Sequence, residues 1–154
     1  MRRLFLPAAL AVVLVGLLAS SVVLWLGQRE SLDRGALVAG QQGAVSFFSL
    51  DFRHAEDDVD RVLSQATGDF KKEYAEKRDE VVASVKDKQL VVTATVPDDG
   101  VALEYLAGDQ AQVLVAVNVN TTSPSGAEDA RYRTRVELTK VDGDWLVAGV
   151  EQVG

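Results

Sequence analysis

From Leu4 to Gly27 the chain carries no charged side chain. Arg2 and Arg3 precede this run, and Gln28, Arg29 and Glu30 follow it. A helix rises about 1.5 Å per residue, so roughly 20 such residues cross the ~30 Å hydrocarbon core of a bilayer. The pattern predicts a single membrane anchor over residues 1–30. A cleaved signal peptide is the competing reading, with Ala19, Ser20 and Ser21 as small residues near a cleavage position. Its apolar region should span roughly 7–15 residues, however. Here Val22, Val23, Leu24, Trp25 and Leu26 prolong the run, and Trp25 sits where an interfacial aromatic anchor belongs. The uncleaved anchor is favoured. Arg2, Arg3 and the terminal amine place the short N-terminal tail in the cytoplasm and residues 31–154 outside it.

Beyond the anchor the periodicity is first helical and then alternating. Ser31 to Leu50 reads as a helix with Leu37, Ala44, Val45, Phe47 and Phe48 apolar, although Gly35, Gly40 and Gly43 weaken it. Val59, Val62, Leu63 and Ala66 lie on one face of a second helix, with Glu56, Asp57 and Asp58 in its first turn and Gly68 as its left-handed stop. A third helix is expected from Asp69, with Phe70, Tyr74, Val81, Val82 and Val85 on one face. From Lys88 the period becomes two. Strands are predicted over Leu90–Val96, Val101–Leu106, Val113–Val119, Arg131–Leu138 and from Trp145, with turns at Pro97–Gly100 and Asp142-Gly143. Ser123, Pro124, Ser125 and Gly126 read as a long polar loop. Helices followed by an antiparallel sheet predict an α+β fold, with the helices packed on one face of a curved sheet as a cone. Phe47, Phe48, Phe52, Phe70, Tyr74 and Trp145 supply enough aromatic bulk to fill such a cone.

Charge and composition narrow the function. The chain of 154 residues has 16 basic and 23 acidic side chains and a net charge of −7, with no basic stripe of the kind nucleic acid requires, so nucleic acid is excluded as a main partner. Without cysteine there is no disulfide framework, thiol nucleophile or Cys-ligated metal.

The residues that could carry chemistry are few. His54 is the only histidine and lies in Asp51-Phe52-Arg53-His54-Ala55-Glu56-Asp57-Asp58, where it reads as the approach to a helix start. Zinc normally needs several convergent ligands, usually with more than one His or Cys. Asp51 with Tyr74, Tyr105 or Tyr132 could form a carboxylate–phenol pair for proton transfer beside a carbonyl, but no spacing singles one out. No catalytic, cofactor-binding or metal residue is assigned, and no cofactor is expected. Arg131, Arg133 and Arg135 alternate on one strand and so share a face. They are either a solvated row paired to neighbouring carboxylates or a contact surface for a protein partner or lipid phosphate.

Several segments resemble the Mce-associated membrane proteins of actinobacteria, accessory proteins of Mce lipid-import systems. They are Ser49-Leu50-Asp51-Phe52-Arg53, the stretch Val62-Leu63-Ser64-Gln65-Ala66-Thr67-Gly68-Asp69-Phe70 ahead of Tyr74, and the tail Val141-Asp142-Gly143-Asp144-Trp145-Leu146-Val147. The resemblance implies a nuclear-transport-factor or SnoaL-like (cystatin-like) cone and a non-enzymatic role. The protein would then be a single-pass accessory stabilising or assembling a lipid importer, with Mce and permease subunits as partners. Two alternatives stay open: an extracytoplasmic module binding a lipid or small ligand, and an assembly factor of another envelope machine such as a type IV secretion system.

Overall fold

The computed structural model describes residues 34–154; the expected anchor lies outside them. Among the described residues no helix is long and apolar enough to cross a membrane. Helix α1 runs over residues 34–48 and leads into a two-residue strand β1 (Leu50–Asp51). Helices α2 (Ala55–Ser64), α3 (Gly68–Glu76) and α4 (Arg78–Asp87) follow. Strands β2 (Val91–Thr95), β3 (Val101–Ala107), β4 (Gln110–Ser123), β5 (Gly126–Val141) and β6 (Asp144–Gln152) complete the chain.

All the strands pair antiparallel in one sheet of order β1-β2-β4-β5-β6. Strand β4 is long enough to hold two partners along one edge. Its residues 118–122 pair with β2 and its residues 110–115 with β3, the Pro97–Gly100 turn lying between the two. The alternation expected in β4 is present: Ala111, Val113, Val115, Val117 and Val119 are buried under the helices, opposite Val136 and Leu138 of β5. Each fully buried Val or Leu contributes about 1.5–3 kcal/mol relative to an exposed one. A second cluster, Ala55, Val59, Val82 and Val85, lies between α2 and α4, with Leu50, Phe52 and Leu90 against it.

The glycines of α1 are seats rather than weaknesses. A Cβ on Gly40 would lie 2.7 Å from Val113 Cβ, and one on Gly43 would lie 2.6 Å from Val147 Cγ2. The helix backbone therefore rests directly on the valines of β4 and β6.

Four other expectations are corrected. The first helix ends at residue 48, because Leu50 and Asp51 pair with Val92 and Val91. Helix α2 ends at Ser64 with Gln65 as its C-cap, whereas Gly68, at φ +62°, opens α3. The intervening Ala66 forms a parallel bridge with Val147, and Thr67 N–H donates to the Val147 carbonyl at 2.8 Å. This corner thus covers part of the β6 edge. The expected third helix is two helices that turn at Lys77, since Phe70 packs against the sheet while Val82 and Val85 pack into the second cluster.

The polar stretch around Ser123 is not a long loop. Strands β4 and β5 continue through it as a ladder closed by Pro124-Ser125, with Ser123 paired to Gly126. At the other end of β5 the expected Asp142-Gly143 turn is present, both residues having positive φ as a type I′ hairpin requires.

Candidate functional site

Strand alternation puts Arg131, Arg133 and Arg135 together on the sheet face opposite the helices, but their environments differ. Arg135 is half-buried and held in a carboxylate clamp. Its Nε donates to Glu104 Oε2 at 2.6 Å, Nη2 to Glu104 Oε1 at 3.0 Å and Nη1 to Glu151 Oε2 at 3.0 Å. The Arg135 hydrogen bonds hold the Glu104 carboxyl below its ordinary range, and the same bonds raise the guanidinium pKa. Arg131 is exposed and uses Nε to reach Asn118 Oδ1 at 3.0 Å. Arg133 is exposed too. Among the described residues neither Arg131 nor Arg133 has an ion-pair partner. The solvated, carboxylate-paired reading of the row therefore fits Arg135 alone.

Three shallow depressions line the same face. One of about 450 Å³ lies among Thr93, Thr95, Asn118, Asn120, Asp129 and Arg131. A second, of about 580 Å³, shares Asn118 and Arg131 with it and reaches Ala116, Arg133 and Pro97. A third, of about 520 Å³, shares Ala116 and Arg133 with the second and ends at Leu114, Arg135 and Glu104. Shared walls make them one trough along β4 and β5. The sequence hid this, because the partners Thr93, Thr95 and Glu104 arrive through the registers of β2 and β3 against β4. Glu104 also sits at the register shift of β3, which no spacing rule announces.

The helix side of the sheet holds an aromatic cluster. Phe47 meets Phe48, Phe70 and Tyr74 with ring centroids 5.2, 6.1 and 5.9 Å away, and Phe48 stacks on Tyr132 at 5.3 Å. Each ring is half-buried, and burial pushes the Tyr74 hydroxyl pKa up. Of the aromatics expected to fill the cone, Phe52 lies instead in the second cluster. Trp145 packs half-buried near Gly35, with Lys140 Nζ 5.6 Å from its ring centroid.

The carboxylate–phenol pairs are not assembled. Asp51 is bound by Arg53, Tyr74 and Tyr132 belong to the aromatic cluster, and Tyr105 is 48% exposed. His54 is an exposed N-cap of α2 whose side chain makes no capping bond. Beside it, buried Asp58 accepts from Asp51 N–H at 2.7 Å and pairs with Arg61 at 2.8 Å, which ties β1 to α2. Among the described residues no group of His, Asp and Glu side chains converges as a metal site.

The surface carboxylates predict the pH response. Hydrogen bonding to Arg53 lowers Asp51 to about 2, and Lys86, Arg78 and Arg135 lower Glu56, Asp60 and Glu104 in the same way. A carboxylate depressed in the folded state stabilises it fully above the unfolded value, about 4, and loses that effect as pH falls through the folded one. Urea denaturation should therefore show a plateau above about pH 5 and a decline from about pH 4 downward. Asp51→Asn should remove part of the decline nearest pH 2. Stability that rises on acidification would contradict the pairing.

Residues 3–154 match the family described as "Uncharacterized protein Rv1363c/MT1408-like". The chain belongs to this family. It is 30% identical over 154 residues to the Mycobacterium tuberculosis protein described as Uncharacterized protein Rv1363c, an alignment covering 95% of this chain and 58% of that one. With Uncharacterized protein Rv1362c of the same species it shares 33% identity over 117 residues, covering 74% and 52%. The chain thus spans little more than half the length of these relatives. Among solved structures, the periplasmic domain of DotI superimposes with a TM-score of 0.65 at 17% identity, covering 79% of this chain and 94% of that one. An IcmL-like type IV secretion system protein of Legionella pneumophila gives 0.63 at 11% identity, covering 76% and 88%. The VirB8 protein of Agrobacterium tumefaciens gives 0.56 at 12% identity, covering 82% and 92%. At these identities the likeness shows the fold. It is the cone expected from the order of helices and strands, helices packed on a curved antiparallel sheet.

Proposed function

We propose that this protein is a non-enzymatic, membrane-anchored accessory subunit of a multi-subunit cell-envelope machine, acting by contact through an extracytoplasmic domain. The observation that carries this reading is the aromatic cluster. Phe47, Phe48, Phe70, Tyr74 and Tyr132 occupy space between helices and sheet that a cone with a ligand would keep open. The fold is also that of a periplasmic domain and of type IV secretion proteins, which supports an outward-facing module in a protein assembly. For the machine itself, that likeness favours an assembly role of the secretion type. The resemblance at Ser49–Arg53 and Ala66–Phe70 favours a second reading, an Mce-type lipid importer with Mce and permease subunits as partners.

Affinity purification of the tagged full chain from its own host, followed by identification of co-purifying envelope subunits, separates the two. Secretion-machine subunits are expected under the first reading, and Mce and permease subunits under the second. Deletion of the gene should lower the abundance of the machine concerned. His54→Ala should leave that abundance unchanged, since no chemistry is asked of this exposed side chain. If neither set co-purifies and both stay at normal levels in the deletion strain, the accessory reading fails. Loss of lipid uptake on His54→Ala or Asp51→Asn, with the complex still assembled, would point instead to ligand handling.

A further inference from the structure

We infer that the outer trough receives an extended acidic segment of a partner protein, with carboxylates at alternate positions seated on Arg131 and Arg133. The inference rests on the accessory reading above and names the chemistry of the partner. Four observations carry it.

The first is uncompensated charge. Arg131 and Arg133 are exposed and, among the described residues, without ion-pair partners, in a chain of net charge −7. The trough's own acidic side chains lie toward its ends, while Gly154 lines its middle beside Arg133. Asp129 is bonded to Asn120 at 2.8 Å, and Asp99 and Glu104 line the opposite depression. The middle depression is thus lined by Arg131 and Arg133 and by no acidic side chain.

The second is the adjoining site. Arg135, one alternate position further along the strand, takes Glu104 as a two-pronged carboxylate partner. That is the geometry guanidinium groups favour with carboxylates. The protein's own Glu104 thus shows how an arginine on this face is satisfied.

The third is length. The trough runs from Asn120 to Leu114 along β4, roughly 20 Å at strand spacing. Alternate residues of an extended peptide repeat at the same ~6.7 Å as Arg131 and Arg133. An Asp/Glu-x-Asp/Glu segment would place both carboxylates without stretching, whereas one phosphate headgroup would fill only a part.

The fourth is the lining, in which Thr93, Thr95, Asn118 and Asn120 offer hydrogen bonds to a backbone. The exposed large apolar side chains among the described residues, Val38, Tyr105 and Val141, do not line the trough, so nothing there would insert into a bilayer. Tyr132 is stacked on Phe48 and offers no free platform for nucleobases.

The test uses the detergent-solubilised full chain and a fluorescein-labelled extended peptide with a central Glu-Thr-Glu, read by fluorescence anisotropy. A peptide with Gln-Thr-Gln is the control. Binding should be specific for the acidic peptide and weaken between about 50 and 300 mM salt. R131E with R133E should weaken it at least about tenfold, because charge-assisted bonds are lost. R131Q with R133Q should do the same, which keeps the test valid if the reversed variant fails to fold. Lys71→Glu, exposed on α3, should bind as the unmodified chain does.

Equal binding of both peptides, or unchanged binding by R131Q with R133Q, would overturn the inference. So would displacement of the peptide by glycerol 1-phosphate at equal concentration, which would make the pair a phosphate site. If envelope subunits co-purify equally with the unmodified chain and with R131Q/R133Q, the trough inference fails and the accessory reading stands. If the acidic peptide binds as expected but no envelope subunit co-purifies with the unmodified chain, the accessory reading fails and the trough keeps its carboxylate specificity.

Discussion

Gly40→Ala and Gly43→Ala should each destabilise the domain, although alanine is the better helix former. In an exposed helix the exchange gains up to about 1 kcal/mol. Here the added methyl would meet Val113 Cβ at 2.7 Å or Val147 Cγ2 at 2.6 Å. Neither neighbour is the far end of a flexible chain, so α1 must lift from the sheet. Overpacking of this kind costs typically about 1–3 kcal/mol, enough to reverse the sign of the propensity term. Urea denaturation of a fragment beginning at Ser31 measures the loss; its own helical and strand periodicities and mixed charge outside the anchor lead us to expect that it folds alone. Val147→Ala should partly rescue Gly43→Ala, so that the double variant is more stable than the sum of the single losses implies. An increase in stability for Gly43→Ala would mean that α1 is not seated on β6.

Phe47→Ala should be comparably damaging and bears directly on function. Phe47 lies against Phe48, Phe70 and Tyr74 and links the sheet core to the cluster under α2 and α4. Removing a buried phenylalanine costs about 3–5 kcal/mol; half-buried Phe47 should lose about 2–4 kcal/mol. The opening left behind should bind an apolar fluorescent dye that the unmodified domain does not bind. A loss below about 0.5 kcal/mol, well short of the cost of truncating a packed phenylalanine, would mean the ring is dispensable packing. A cone able to open for a ligand would then be the better reading.

Legibility in the sequence followed the range of the forces involved. The β4 valines and the Asp142-Gly143 turn were readable because alternation and positive φ are local demands. The extended β4–β5 ladder was missed because Asn120 to Ser125 are polar, while pairing to Glu128 and Ala127 is what keeps Thr121 and Thr122 in a strand. The break at Lys77 was missed for a related reason. Phe70 and Val85 fit one helical face on paper, but their clusters lie in different directions.

The candidate site divides in the same way. Alternation alone placed Arg131, Arg133 and Arg135 on one face, because the period of a strand is fixed by its backbone. Which of them is satisfied depended on Glu104 and Glu151 arriving from other strands, through a register and a shift that no local pattern encodes. The sequence by itself determined that helices precede an antiparallel sheet, the buried face of β4 and the scarcity of catalytic groups, since these follow from residue type and period. The tertiary structure decided that the glycines of α1 are contact points, that aromatic rings pack together on the helix side, and that only one of the three arginines along the trough has an ion-pair partner among the described residues. Each of these depends on distances between segments far apart in the chain, and those are set by packing and sheet register.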